Sequence, residues 1–415
     1  MRRSAGGGRS TATTAVEACT SGTRTDTSSR SSPARTGPAG STSVHPQKWV
    51  DVDTAAISDN AAAVKAMLGP GVGVMAVVKA NGYGHGFELA SAAALEGGAT
   101  WLGVSSPTEA LQAVPFGAPV LILGATPDRF YPQMLEAGVE LTVFDAESVE
   151  SLARAAAQAG RQARVHVKID TGMNRLGARA TDIESLRRAL HATRANVTVA
   201  GIFTHFADSE GPDVEVTRVH NAAFLERAEP LRQLAPEAMI HAANSGAILR
   251  LPEAHHDLVR LGIALYGYPP VPTAVPLRTA MTMLAEVTHV KEIDPGETVS
   301  YGRTWTAPRT TRVATLPVGY ADGIHRWRAG TDTVLIGGTR SRIIGRVTMD
   351  QIMVDVTDCD PVAKGDVAAL VGDLDGNHLG ADEIGLAGDT IPHEVLCATS
   401  SRAARIPRPS ARALP

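Results

Sequence analysis

VMAVVKANGYGHG, residues 74–86, starts as an apolar strand and breaks at Lys79 into a turn where Gly82, Gly84 and Gly86 alternate with Tyr83 and His85. A buried strand that delivers one lysine into a glycine-rich turn holds an amine where a carbonyl compound can reach it. The same pattern describes a strand end whose lysine runs along apolar surface to water. The stretch alone leaves both readings open.

Apolar, β-branched runs of the same kind recur on its C-terminal side: TWLGVSS from Thr100, PVLILG from Pro119, ELTVFD from Glu140 and RVHVKID from Arg164. VTVAGIFTHF from Val197, AMIHAAN from Ala238 and LVRLGIALYG from Leu258 complete the series. Ala-rich helical stretches such as Ser148 to Gly160 and Asp182 to Thr193 lie between them. Strands buried on both faces read as continuous apolar runs, and βα repetition implies a parallel sheet. Eight such units predict an α/β fold, a (β/α)8 TIM-like barrel with its site at the C-terminal ends of the strands. An open doubly wound sheet is the alternative. Lys79, His205, Asn244, Ser245 and Tyr266 all fall at or just past strand ends, which predicts one shared pocket.

The flanks read differently. WVDVD from Trp49 alternates as a short strand would, and Thr54 to Leu68 has amphipathic helical spacing. Before it, residues 1–45 are rich in Ser, Thr, Gly and Arg with little to bury, which predicts disorder. Arg2 and Arg3 are followed by no apolar h-region, so an export signal is not expected; a transit peptide or a start placed too far upstream shares the composition. After Pro270 the helical signals fade and alternating strands take over, from LAEVTHVKEI to DVAALVG, predicting a C-terminal all-β domain. The boundary is expected in the proline-rich Tyr268 to Pro276, giving a disordered extension over 1–45, a barrel over 46–275 and the β domain over 276–415.

Of the 415 residues, 20% are charged and 44% hydrophobic, with a formal net charge of -4. That balance offers nothing to attract nucleic acid or an anionic membrane, and no apolar run approaches the roughly 20 residues a membrane span needs. Cys19, Cys359 and Cys397 are scattered and lack metal-ligand spacing, which suits a reducing, cytoplasmic setting and no metal.

Arg260 sits inside the apolar run LVRLGIALYG, where an unpaired guanidinium would cost several kcal/mol. It is either paired with a barrel carboxylate or a cationic partner for a ring nitrogen such as that of pyridoxal phosphate, which it would leave neutral because arginine keeps its proton. Gly262, Ile263 and Ser245 follow the last two strands, where barrels commonly bind phosphate, although a strand glycine is also a packing device. Lys168, Asp170 and Arg175 form either a solvated charge cluster or a hold for anionic groups at the fifth strand end. Tyr301, beside a glycine in VSYG, is a packing residue or a proton donor and acceptor.

At these residues a resemblance becomes specific. From Trp49 to about Arg408 the chain resembles the bacterial alanine racemases, fold-type III pyridoxal phosphate enzymes with a barrel followed by a β domain. AVVKANGYGHG looks like the family's cofactor-lysine segment, with Gly82 where many members carry alanine; this implies Lys79 as the cofactor-bearing lysine and Tyr83 as a phosphate contact. HAANSG resembles the stretch that binds phosphate through Ser245, next to Asn244, and backs the pyridine-binding arginine with His241. VRLGIALYG matches in order through Arg260, Gly262, Ile263 and Tyr266. VKIDTGMNRLG is similar to the segment whose lysine, here Lys168, is carbamylated in some members and holds the arginine, here Arg175. VSYG resembles the source of the second base, Tyr301, contributed across a dimer interface with His205 behind it. VTMDQ resembles the segment bringing Met349 and Asp350 to the substrate, and GYADG (Gly319 to Gly323) another mark of the β domain.

The resemblance implies interconversion of L- and D-alanine by two bases, Lys79 on one face of the substrate Cα and Tyr301 of a partner subunit on the other, supplying D-alanine for peptidoglycan. It departs near the end. IPHEVL carries His393 where the family usually has a tyrosine at the substrate entrance, and after Arg408 the chain continues with Pro409 and Ser410 in place of an aromatic. A broader amino-acid racemase would use the same constellation. A basic amino-acid decarboxylase shares the architecture but usually faces its ring nitrogen with an acid, and a non-catalytic carrier of the cofactor would lack the second domain and Tyr301.

Overall fold

A computed structural model describes residues 46–408; the stretch expected to be disordered, Cys19 and everything from Pro409 onward lie outside the described residues. After β1 (Lys48–Val52) and the helix Thr54–Met67 come eight parallel strands. They are β2 (Gly73–Val77), β3 (Trp101–Val104), β4 (Val120–Ile122), β5 (Glu140–Val143), β6 (Ala163–Lys168), β7 (Val197–Phe203), β8 (Met239–His241) and β9 (Leu258–Leu261). Their order in the sheet is β8-β7-β6-β5-β4-β3-β2-β9, which is the expected barrel. The seam between β8 and β9 is narrower than a ladder. It is crossed by Asp257 N–H to Ile240 O (3.0 Å) and Arg260 N–H to Ala243 O (2.9 Å), while the Asp257 carboxylate accepts from Ile240 N–H at 2.7 Å.

The strands read as unbroken apolar runs because both their faces are covered: β3, β4, β5 and β9 are buried at every residue. The covering helices bury one face each. In Ala146–Ala159, Val149, Leu152, Ala153 and Ala156 point inward at helical spacing. The Asp145 carboxylate caps its first turn through Ser148 N–H (2.7 Å), and Gly160 ends it in the left-handed conformation.

The second sheet uses β10 (Met281–Glu286), β11 (His289–Ile293), β14 (Thr311–Leu316), β15 (Thr333–Ile336), β16 (Thr339–Ile344), β17 (Ile352–Asp355), β18 (Val367–Leu374), β19 (Asn377–Leu379) and β20 (Ala404–Pro407). A separate hairpin joins β12 (Thr298–Val299) to β13 (Trp305–Thr306). The path runs β11-β14-β17-β16-β15-β18-β10-β1-β20, with β19 beside β18.

Two features add detail to the expected architecture. WVDVD does not lie in the barrel although it begins the 46–275 segment: β1 pairs antiparallel with β10 and parallel with β20. Alternation marks it as a strand with one buried side, but only long-range pairing decides which sheet it enters. The C-terminal domain is strand-rich but not all-β, since it carries the helices Ala381–Ala387 and Pro392–Cys397. Residues 268–280, between the domains, contain neither helix nor strand. They are fastened by buried Asn60, which donates to Leu265 O (3.0 Å) and Arg278 O (2.8 Å) and accepts from Arg278 N–H (2.8 Å). Among the described residues no helix is long and apolar enough to cross a membrane.

Candidate active site

The glycine-rich turn after β2 is a left-handed one. Ala80, Asn81, Gly82 and Tyr83 all have φ between 51° and 61°, and Gly84 follows at 84°. Each non-glycine residue in that conformation costs on the order of 1–2 kcal/mol, so the turn must be held from outside. The Glu109 carboxylate accepts from Ala80 N–H (2.8 Å) and from Ser105 N–H (2.8 Å), and the Asn81 side chain accepts from Phe87 N–H at 2.9 Å. From the other domain Arg405 Nε donates to Gly84 O (2.9 Å), and a Cβ at Gly84 would collide with the backbone oxygen of Leu396. The helix Pro392–Cys397 therefore sits directly on the turn, and only glycine lets it approach so closely.

Lys79 emerges from this turn half-buried and lines a cavity of about 500 Å³ at the C-terminal ends of the barrel strands. Tyr83, Lys168, Arg175, His205, Asn244, Ser245, Arg260, Gly262 and Ile263 line it too. Four cations, Lys79, Lys168, Arg175 and Arg260, thus face one space, against Glu210 as the lining carboxylate. Such a field favours a phosphate or a carboxylate ligand. It also acts on the amines. Burial, and then Arg175, lowers the pKa of Lys79. Lys168 is pulled to about 8 by burial, Arg260 and Arg175. His205 is pushed well below the usual histidine range by burial and the same cations, so its ring is neutral.

Arg260 is held on all sides. NH1 donates to His241 O (3.1 Å) and faces His241 Nδ1 (3.2 Å). NH2 donates to Thr204 O (2.7 Å) and Ala242 O (2.8 Å) and faces His205 Nδ1 at 3.3 Å. Burial lowers its pKa to about 9, which still leaves it cationic at neutral pH. Of its five N–H groups, the Nε–H is the one without a protein acceptor among the described residues.

Ser245 Oγ accepts from Gly262 N–H (3.1 Å) and Ala264 N–H (3.3 Å), so its own proton is free to donate. The Asn244 side chain caps the helix Ser245–Arg250 through Ala247 N–H at 3.2 Å. The Tyr83 hydroxyl lies 3.2 Å from where a Gly262 Cβ would stand, so glycine keeps this corner open. Tyr266 lies one layer behind the cavity. It is fully buried, donates to Val77 O (3.1 Å) and stacks between Tyr83 (4.9 Å) and His85 (4.4 Å). His241 likewise sits behind Arg260 and does not line the space.

Tyr301, Met349 and Asp350 are elsewhere in the chain's fold. They line a second, more open depression with Tyr320, His325 and Arg346. Tyr301 is 74% exposed and Met349 53%, while Arg402 holds Asp350 at 2.7 Å.

Sequence reasoning passed over Ser105, Leu123, Gly124, Leu176, Phe203 and Glu210, which also line the cavity. For Ser105, Leu123 and Gly124 the position just past a strand end was the available signal; Phe203 closes β7, and Leu176 and Glu210 lie in the loops beyond β6 and β7. His393, singled out as a departure, does line the cavity, 5.8 Å from the Tyr83 ring, and its buried Nδ1 has no protein partner.

With known proteins the correspondence runs along nearly the whole described chain. The family description "Alanine racemase, N-terminal domain" matches residues 52–270, and "Alanine racemase, C-terminal domain" matches residues 280–407. An alanine racemase of Symbiobacterium thermophilum is 42% identical over 367 residues, 86% of this chain and 96% of its own. The solved alanine racemase of Streptomyces coelicolor superposes with a TM-score of 0.83 at 34% identity, covering 88% of this chain and 98% of its own. That of Bartonella henselae, with covalently bound pyridoxal phosphate, gives 0.79 at 28% identity, covering 88% and 100%. The chain belongs to the alanine racemase family.

Proposed function

We propose that this chain interconverts L-alanine and D-alanine, with pyridoxal phosphate bound in the barrel cavity and a second copy of the chain completing the site. The observation that carries the reading is the pairing of half-buried Lys79 with the buried Arg260 guanidinium, whose Nε–H is left unspent, in one cationic cavity. The donor set fits the cofactor. Lys79 offers an amine for its aldehyde carbon, Arg260 an N–H for its ring nitrogen, and Ser245, Tyr83 and the Gly262–Ile263 backbone a cradle for its phosphate. The covalently bound pyridoxal phosphate of the Bartonella henselae relative supports the same assignment.

When bound, the cofactor supplies an electron-accepting ring that makes the substrate α-proton acidic. An arginine partner keeps that ring nitrogen neutral, which favours return of the proton over side reactions. Lys79, its pKa lowered, removes or returns the α-proton on one face of Cα. Tyr301 of the partner subunit does so on the other face, with neutral His205 available to its phenol. Arg175 would meet anionic groups at the rim, and Met349 and Asp350 of the partner subunit would bound the substrate. Exposure of Tyr301 and Met349 outside the chain's own cavity supports a homodimer that shares residues between sites. We assign the reaction to the cytoplasm, where D-alanine would enter peptidoglycan synthesis.

The test is a coupled assay for D-alanine formed from L-alanine, with and without added pyridoxal phosphate. Cofactor-dependent turnover abolished by Lys79→Ala is expected; cofactor binding without turnover would favour a carrier. His393 motivates a second reading, a broader racemase, because an imidazole at the cavity edge is shorter than a phenol. Turnover of serine, lysine or arginine at rates close to that of alanine would select it.

A further inference from the structure

Behind Arg260 a line of hydrogen bonds crosses the barrel interior to its opposite rim. Arg260 NH1 meets His241 Nδ1 at 3.2 Å, His241 Nε2 meets His166 Nδ1 at 2.8 Å, and His166 Nε2 meets Glu140 Oε2 at 2.8 Å. His166 and His241 are fully buried, and Glu140 and Arg260 nearly so. The line leaves the protein only at Arg164, whose Nε holds Glu140 Oε1 at 2.7 Å and whose side chain is 53% exposed. The room for it is built in: a Cβ at Gly201 would collide with the His166 ring, and Phe203 stacks on His241 at 4.7 Å.

The chemistry of the two ends dictates every proton between them. Arginine can only donate, so His241 Nδ1 must accept and Nε2 must carry the hydrogen. His241 then donates to His166 Nδ1, which leaves the His166 hydrogen on Nε2, pointing at Glu140. A carboxylate can only accept, so the line closes without a mismatch and both imidazoles stay neutral. Burial lowers the pKa of His166 despite Glu140, and holds His241 well below the usual range. Burial works against the Glu140 carboxylate, but His166 and Arg164 outweigh it and keep it ionised.

We propose that Glu140, His166 and His241 are positioning residues, a one-directional relay that locks both histidine tautomers and occupies the Arg260 NH1 donor. The guanidinium is thereby oriented with only its Nε–H free for the cavity. This deepens the proposed function, since it assigns what aims the ring partner, but the relay can be tested without turnover.

The full-length chain, labelled with 15N-histidine, is examined by long-range proton–nitrogen correlation with and without pyridoxal phosphate, signals being assigned by single replacement of His166 and His241. Both histidines are expected as neutral Nε2–H tautomers; an Nδ1–H form or an imidazolium at either position overturns the relay. Glu140→Gln keeps the shape but can donate as well as accept. It is expected to admit the reversed tautomers and lower kcat for alanine about 10- to 100-fold, with KM changed less than about twofold and Glu140→Asp recovering part of the loss. A Glu140→Gln protein that loses thermal stability while keeping pure Nε2–H tautomers and wild-type kcat would reduce Glu140 to a structural ion pair. If that variant does not fold, the tautomers of the unaltered chain decide alone.

Discussion

Lys168 shows what one residue gains from the company it keeps. With a pKa of about 8 it is largely a neutral, nucleophilic amine at slightly alkaline pH, surrounded by Lys79, Arg175 and Arg260. Addition of carbon dioxide with loss of one proton would turn it into an anionic carbamate and give Arg175 a partner. Incubation with 13C-bicarbonate above pH 8 is expected to yield a carbamate resonance that Lys168→Ala lacks. His393 carries the opposite problem, a buried Nδ1 with nothing to bond. Leaving such an atom unsatisfied costs about 1–3 kcal/mol. Thermal melts of His393→Phe should therefore show a more stable cofactor-free protein, and titration should show pyridoxal phosphate bound about tenfold more weakly. His85 sets an acid limit. Its pKa falls from 6.5 to about 4, chiefly through burial, so the unfolded chain binds the extra proton across that window. Stability is then complete above pH 6.5 and lost as pH falls towards 4, by about 3 kcal/mol from this residue. Denaturant titrations from pH 7 to 4 are expected to show a shallower decline for His85→Gln.

At the level of elements, the left-handed turn over residues 80–83 and the helix Pro392–Cys397 work as one unit. Gly84→Ala would place a Cβ against Leu396 O at a φ of 84°, so a loss of about 2–4 kcal/mol in unfolding free energy and weakened cofactor retention are expected. Equal stability of this variant would mean that the helix moves aside easily. Here the limits of reading a sequence become visible. The eight barrel strands were legible because burial on both faces leaves a local signature; Lys79, His205, Asn244 and Ser245 followed from where strands end, Arg260 from its charge inside an apolar run, and Tyr83 from the family resemblance. The handedness of the turn was not, since Ala80, Asn81 and Tyr83 prefer other conformations and are held by Glu109, Arg405 and Leu396. The Glu140–His166 contact was equally hidden. An acid beginning one strand and a histidine within the next look like ordinary polar interruptions until pairing aligns them. Arg260 was read as having either a carboxylate or a ring nitrogen as its partner; among the described residues it meets backbone carbonyls and histidine nitrogens instead of a carboxylate, and Glu140 is reached only through two imidazoles.

On the scale of the molecule, the chain's own cavity holds Lys79 without Tyr301. Lys79→Ala and Tyr301→Ala, each expected to be inactive alone, can therefore be mixed after reversible dissociation. If sites are shared across a two-fold axis, half the dimers are hybrids with one intact site each, and activity should return to roughly a quarter of that of the unaltered protein. No recovery after verified exchange would place both bases in one chain. The large second sheet has a further property. Its strand β1 is bounded by β10 and β20, pairing Trp49 with Ala404. During synthesis the barrel strands are complete long before β20 exists, and at 5–20 residues per second β1 waits roughly 20–70 s for its second neighbour. Through that interval Trp49 to Val52 present an unpaired backbone edge, so this enzyme's demand for chaperones should be concentrated at its N-terminal strand, and set by when its last strand is made.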